Sequence, residues 1–132
     1  MTCRFQGILN SDISRVLSYL GHTDRICICD CGLPIPDGVE RIDLSVRPGL
    51  PDFLTVLRII LKDMYVESYY IAKEIDKSPA ILEGIHKLLP DVQECILSHD
   101  ELKQKTEGCK AVIRTGECSP YANIILQAAC RF

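Results

Sequence analysis

Residues 25–30, Arg-Ile-Cys-Ile-Cys-Asp, carry apolar side chains on both faces of an extended chain. Side chains alternate along a strand, so Ile26 and Ile28 point one way and Cys27 and Cys29 the other, with Cys31 continuing the cysteine face. A strand that is apolar on both faces belongs to a sheet covered on both sides, which favours an α/β layer fold. The rest of the chain supplies matching elements. Asn10-Ser11 offers a helix N-cap, and Ile13, Val16, Leu17 and Leu20 form an apolar stripe that Gly21 closes. Pro51 suits the first turn of a helix running to about Leu61. Ser78-Pro79 opens another helix, and Ser98-x-x-Glu101 is a capping box for a last one that Gly108 ends. Strands are expected over 41–45, 64–72, 92–97, 109–115 and 123–130. The expected fold is therefore a three-layer α/β/α arrangement in one domain, residues 1–132, with about six strands and helices on both faces.

The 132 residues suffice for one real core, and 47% hydrophobic with 25% charged residues fits a globular chain. A net charge of −3 gives no electrostatic case for nucleic acid or an anionic membrane. No apolar run reaches the ~20 residues of a membrane helix. The first residues, Met-Thr-Cys-Arg-Phe-Gln, lack the apolar core of a secretion signal, so a cytoplasmic location is expected. There are eight cysteines, at 3, 27, 29, 31, 95, 109, 118 and 130, and no Cys-x-x-Cys pair. That spacing disfavours zinc, and the cysteines read first as reduced, buried small hydrophobes, with a metal or redox role as the alternative.

Nucleotide and zinc-protease motifs are absent: there is no Gly-x-Gly-x-x-Gly, P-loop, Gly-x-Ser-x-Gly or His-Glu-x-x-His. The candidate chemistry lies in isolated polar residues. His22 follows a helix C-terminus, whose partial negative charge favours imidazolium and so suits a proton donor; it reads equally as a capping histidine. His99 follows the N-cap Ser98, where the helix dipole disfavours charge, so a neutral imidazole accepting a hydroxyl hydrogen bond competes with an ordinary surface residue. Lys103 lies one helical turn on, on the same face. His86 reads as a surface residue of its helix. Asp30 ends an apolar strand, where ligands of α/β sheets bind, or else it closes a turn onto Gly32. Residues 113–126 pack Ser, Tyr and Asn between two apolar strands, a composition typical of a binding loop. His22 and Asp30 within one short unit imply acid/base work on a small polar substrate.

Several blocks carry a family likeness: Leu9-Asn-Ser-Asp-Ile-Ser14, Leu20-Gly-His-Thr-Asp24, Gly32-Leu-Pro-Ile-Pro36, Arg41-Ile-Asp43, Val112-Ile-Arg114 and Gly116-Glu-Cys-Ser-Pro-Tyr-Ala-Asn-Ile-Ile-Leu126. In this order they resemble the D-ribose pyranase family, which also includes the fucose mutarotases, over most of the chain. Gly-Leu-Pro-Ile-Pro and Glu-Cys-Ser-Pro-Tyr-Ala-Asn are similar to the ribose branch; the triplet Cys27, Cys29 and Cys31 is not a family signature. The resemblance implies a cytoplasmic isomerase needing no cofactor or metal, which interconverts β-D-ribopyranose and β-D-ribofuranose. It implies His22 as catalytic proton donor, with Asp30, His99, Tyr121, Ala122 and Asn123 holding the sugar and Lys103 as a further contact. It also implies ring-shaped homo-oligomers, pentamers stacked into decamers, with the site between neighbouring subunits. A fucose-type mutarotase, a non-catalytic sugar-binding assembly module, and a thiol or metal protein built on the cysteines are the alternatives.

Overall fold

The computed structural model describes residues 7–130. Four helices, α1 (Ser11–Tyr19), α2 (Phe53–Leu61), α3 (Pro79–Leu88) and α4 (His99–Lys105), alternate with six strands: β1 (Arg25–Cys29), β2 (Glu40–Asp43), β3 (Val66–Ala72), β4 (Gln93–Leu97), β5 (Ala111–Arg114) and β6 (Ile124–Ala128). The helix starts follow their caps. The Asn10 side chain accepts from the Ile13 N–H, and Asp52 accepts from Thr55. At α4 the full reciprocal capping box of Ser98 and Glu101 is present. Because Asp52 takes the cap, Pro51 lies before α2 rather than in its first turn. A 3-10 segment, Lys73–Lys77, precedes α3.

All six strands form one sheet in the order β2-β5-β1-β6-β3-β4. β6 runs antiparallel to both its neighbours, β1 and β3, while the β1/β5, β2/β5 and β3/β4 pairs are parallel. Five strands therefore end at the same sheet edge, and β6 begins there. Ile26 and Ile28 join the larger core with α1, α2 and α3, including Ile13, Val16, Phe53, Leu57, Ile81 and Ile85. Cys27 and Cys29 pack on the other face with Leu102 of α4, Cys109, Val112 and Ile125. The layers are thus unequal: three helices cover one face, and one short helix with the segment around Leu33, Ile35 and Val39 covers the other.

The cysteine reading holds in part. Cys27, Cys29 and Cys109 are buried, and burial pushes the thiols of Cys29 and Cys109 up to about 12. Cys31 lies past the end of β1 and does not share that packed face; it is half-buried like Cys95, while Cys118 and Cys130 are exposed. Cys3 falls outside the described residues.

Candidate functional site

The carboxyl edge of the sheet gathers most of the candidate residues. Asp30 follows β1, His99 follows β4 and opens α4, and Tyr121, Ala122 and Asn123 lead into the antiparallel β6. Register brings the first and last of these groups together, because Ile28 of β1 pairs with Ile124 of β6. Asn123 is fully buried, and its Oδ1 accepts from the Asp30 backbone N–H at 2.9 Å. Asp30 Oδ1 accepts from the Gly32 N–H at 3.0 Å, so the turn role expected of this residue is real. Partial burial raises the Asp30 carboxyl; the Gly32 and Leu33 N–H groups, the nearby His99 and Asn123 oppose that rise. The His99 ring meets the Tyr121 ring edge-to-face at 5.0 Å between centroids. Tyr121 holds a left-handed backbone, φ 61°, a conformation costly for a bulky side chain and concentrated at functional sites.

Asp30, His99 and Tyr121 line a cleft of about 300 Å³, which Cys31, Glu117 and Cys118 help to form. Among the described residues, two buried polar atoms in this region have no hydrogen-bond partner, Nδ1 of His99 and Nδ2 of Asn123. Burying such atoms unpaired costs about 1–3 kcal/mol each, a cost a polar ligand would relieve. Ala122 is buried behind them. Lys103 pairs with Asp100 at 3.3 Å and does not line the cleft. Its position on the His99 face of α4 is therefore not matched by a contact with this site. The backbone N–H of His99 donates to both oxygens of Glu74, at 3.2 and 3.0 Å, so a carboxylate already sits on the α4 N-terminus.

His22 is elsewhere. It precedes β1, whereas Asp30 follows it, so their closeness in sequence places them at opposite ends of one strand. Five residues at about 3.3 Å each separate the two edges by roughly 15 Å or more. At the amino edge His22 borders a second cleft, of about 450 Å³. Its Nε2 lies 2.7 Å from Glu67 Oε1, and Glu67 Oε2 accepts from Gln127 Nε2 at 2.7 Å. The Gln127 oxygen in turn accepts from Arg25 Nε at 2.9 Å and from the Tyr70 hydroxyl at 3.3 Å. The Gln127 hydrogen bond, then that of His22, holds the Glu67 carboxyl below its ordinary value. Glu67 sits at a register shift, where Val66 pairs with Ala128 and Ser68 with Gln127. Such a bulge re-aims the extra side chain; here the carboxylate meets His22 on one oxygen and Gln127 on the other.

Neither Glu67 nor Gln127 stands out in the sequence. Arg114 is a second omission: its guanidinium donates to the Cys31 carbonyl at 3.0 and 3.2 Å and to Asp43 and Ser45, fixing the turn after Asp30. His86 is a helix-surface residue, as expected, and lies 2.7 Å from Glu94. Among the described residues no group of three or more His, Cys, Asp or Glu could hold a metal ion, and no helix is long and apolar enough to cross a membrane.

Residues 4–131 match the model of the RbsD / FucU transport protein family. The chain is 56% identical over 129 residues to a D-ribose pyranase of Shouchella clausii, covering 96% of this chain and 97% of the relative. It is 52% identical to a D-ribose pyranase of Laribacter hongkongensis, covering 96% and 97%. The structure of Bacillus subtilis RbsD complexed with D-ribose superposes with a TM-score of 0.94 at 46% identity, over 98% of this chain and 100% of that one. A fucose mutarotase from Streptococcus pneumoniae shares the fold, with a TM-score of 0.80 at 22% identity over 94% and 95%.

Proposed function

The chain belongs to the RbsD / FucU transport protein family, and from that membership we propose that it is a D-ribose pyranase, an isomerase interconverting β-D-ribopyranose and β-D-ribofuranose. The observation that carries the reading is the convergence, beside Asp30, of two buried and unpartnered polar atoms, His99 Nδ1 and Asn123 Nδ2. A polyol offers donors and acceptors for both, and the half-buried Asp30 carboxylate would accept from a sugar hydroxyl. Tyr121 completes the wall with Ala122 behind it, and Lys103 is a further contact that must first leave Asp100.

The reaction needs a proton delivered to the ring oxygen and one removed from the anomeric hydroxyl. The pyranose ring C–O bond breaks, leaving an open-chain aldehyde. Rotation of the chain then lets O4 rather than O5 attack the carbonyl carbon, and the proton movements reverse. His22 is the proton donor in this scheme. Its Nε2 is engaged by Glu67, so the donating form is the imidazolium, which gives its Nδ1 proton to the sugar and is left as the Nε2–H tautomer bonded to Glu67. General acid assistance of this kind contributes typically ~10²–10⁴-fold, and holding the open chain near its closing geometry adds to that. The scheme calls on no metal or cofactor.

His22 and Asp30 lie at opposite sheet edges, so a site that uses both on one sugar calls for a second copy. The amino edge of one subunit facing the carboxyl edge of the next is a head-to-tail contact, which closes into a ring when the rotation permits. We therefore read the active form as a ring-shaped homo-oligomer, a pentamer or a decamer of two such rings. Exposed Leu9, Tyr19, Val46 and Ile96 supply apolar surface for such contacts. The reading places the enzyme in the cytoplasm, acting on ribose before the furanose is used.

Saturation-transfer NMR on the anomers of D-ribose, L-fucose and a small sugar panel tests the function directly. Accelerated pyranose–furanose exchange of ribose, lost in His22→Ala with the fold intact, is the expected result. Acceleration confined to fucose would assign the chain to the other branch. Ribose binding without any acceleration would make it a sugar-binding module.

A further inference from the structure

The sulfurs of Cys31 and Cys118 lie 3.9 Å apart, although the residues are 87 positions apart in sequence. Both line the cleft that holds Asp30 and His99. Their backbones are already joined: the Cys31 N–H donates to the carbonyl of Glu117, the residue before Cys118, at 2.9 Å. The two segments are thus neighbours, and the sulfurs need only close from 3.9 Å to about 2.05 Å to bond.

Both segments are held. Arg114 grips the Cys31 carbonyl, and the Glu117 carboxylate accepts from the Ser119 N–H and hydroxyl on one oxygen and the Phe53 N–H on the other. The pair also differs from the chain's packing cysteines. Cys27 and Cys29 are sealed in the core with no access to solvent, whereas Cys118 is exposed and Cys31 half-exposed in the cleft. Cys118 is the more exposed of the two sulfurs and is therefore the one that reacts with an oxidant first.

We propose that Cys31 and Cys118 form a modification site, oxidised by hydrogen peroxide to an intramolecular disulfide within the wall of the pocket. The Cys118 sulfur attacks the peroxide O–O bond, giving a sulfenic acid and water. The Cys31 sulfur then attacks the sulfenyl sulfur, the S–S bond forms, and the departing hydroxide takes the Cys31 proton as a second water. Two thiols supply the two electrons that reduce one peroxide. The bridge ties the turn carrying Asp30 to the loop carrying Tyr121. The chemistry does not depend on which sugar fills the cleft.

The test is hydrogen peroxide titration of the full-length protein, followed by alkylation of remaining thiols and peptide mapping by mass spectrometry. The expected product has lost two hydrogens, yields one cross-linked peptide joining Cys31 to Cys118, and reverts with dithiothreitol. In Cys31→Ser, Cys118 should progress to sulfinic acid at peroxide levels where the wild type stops at the bridge. Sulfinic acid at Cys118 of the wild type with no cross-link would overturn the proposal. So would oxidation confined to Cys95 and Cys130 while Cys31 and Cys118 stay alkylatable.

Discussion

His22 and Asp30 cap the two ends of β1, one before Arg25 and the other after Cys29, and so occupy opposite edges of the sheet. If the site is shared between neighbours, His22→Ala and Asp30→Ala disable different halves of it. Each homo-oligomer should lack exchange activity. Co-expressed or co-refolded in equal amounts, they should form mixed rings in which roughly a quarter of the interfaces pair an intact His22 with an intact Asp30. Saturation-transfer NMR should then recover about that fraction of wild-type exchange. No recovery in rings shown by native mass spectrometry to be mixed would rule out the shared site.

Glu67 should set which ring nitrogen of His22 carries the proton. Its carboxylate is only an acceptor, so it demands a hydrogen on Nε2; a carboxamide at the same place both donates and accepts. Glu67→Gln should reduce kcat for ribose exchange on the order of tenfold, a part of the ~10²–10⁴ general-acid contribution, with KM little changed. Nitrogen NMR of the His22 ring should show a mixture of tautomers in place of one. A single Nε2–H tautomer in the variant would remove Glu67 from this role.

Much of this arrangement was open to reading from residues close in sequence, and little from residues far apart. The doubly apolar pattern at 26–29 found β1 because both faces are buried. Ser98 and Glu101 located α4 because a capping box is local chemistry. Asp30, His99, Tyr121 and Asn123 were visible as polar groups at element ends, and the structure does gather them at one edge. The nearness of His22 to Asp30 in sequence does not become nearness in space, since neighbours across a strand are separated by its length. Glu67 and Gln127 gave no signal: polar residues in strands are ordinary, and their meeting depends on the β3/β6 register and its bulge.

Asp30 should trade stability for function. Burial raises its folded-state pKa above the unfolded value, so between those values the folded state holds more protons than the unfolded one. Stability from this group is then fully present below the unfolded pKa and lost as pH rises through the folded pKa. Asp30→Asn keeps the Oδ1 acceptor for Gly32 and removes the charge. The variant should melt at a higher temperature than wild type near neutrality, with the gap closing on acidification, while ribose exchange is lost. Thermal melts across the acid range check this; a lower Tm for the variant near neutrality would contradict it.

Gly116 should be the least replaceable residue behind the pocket. A Cβ built there would lie 2.6 Å from both the backbone N and O of Leu50 and 2.7 Å from the Arg47 carbonyl oxygen. All three are backbone atoms, so no side chain can swing away. The contact is also a hydrogen-bonded one: the Gly49 N–H donates to the Gly116 carbonyl at 2.6 Å and the Gly116 N–H to the Pro51 carbonyl at 2.8 Å. Relief would require moving the 47–51 turn, and with it the start of α2, or moving the 116–119 segment that places Glu117 and Cys118. Overpacking of this kind costs typically ~1–3 kcal/mol, and the loss of one or both hydrogen bonds adds about 1 kcal/mol each. Gly116→Ala should therefore unfold at clearly lower denaturant with an unchanged m-value, and whatever folds should bind ribose more weakly. A variant as stable as wild type would mean that the Leu50 turn yields freely, and that Gly116 does not fix the wall of the site.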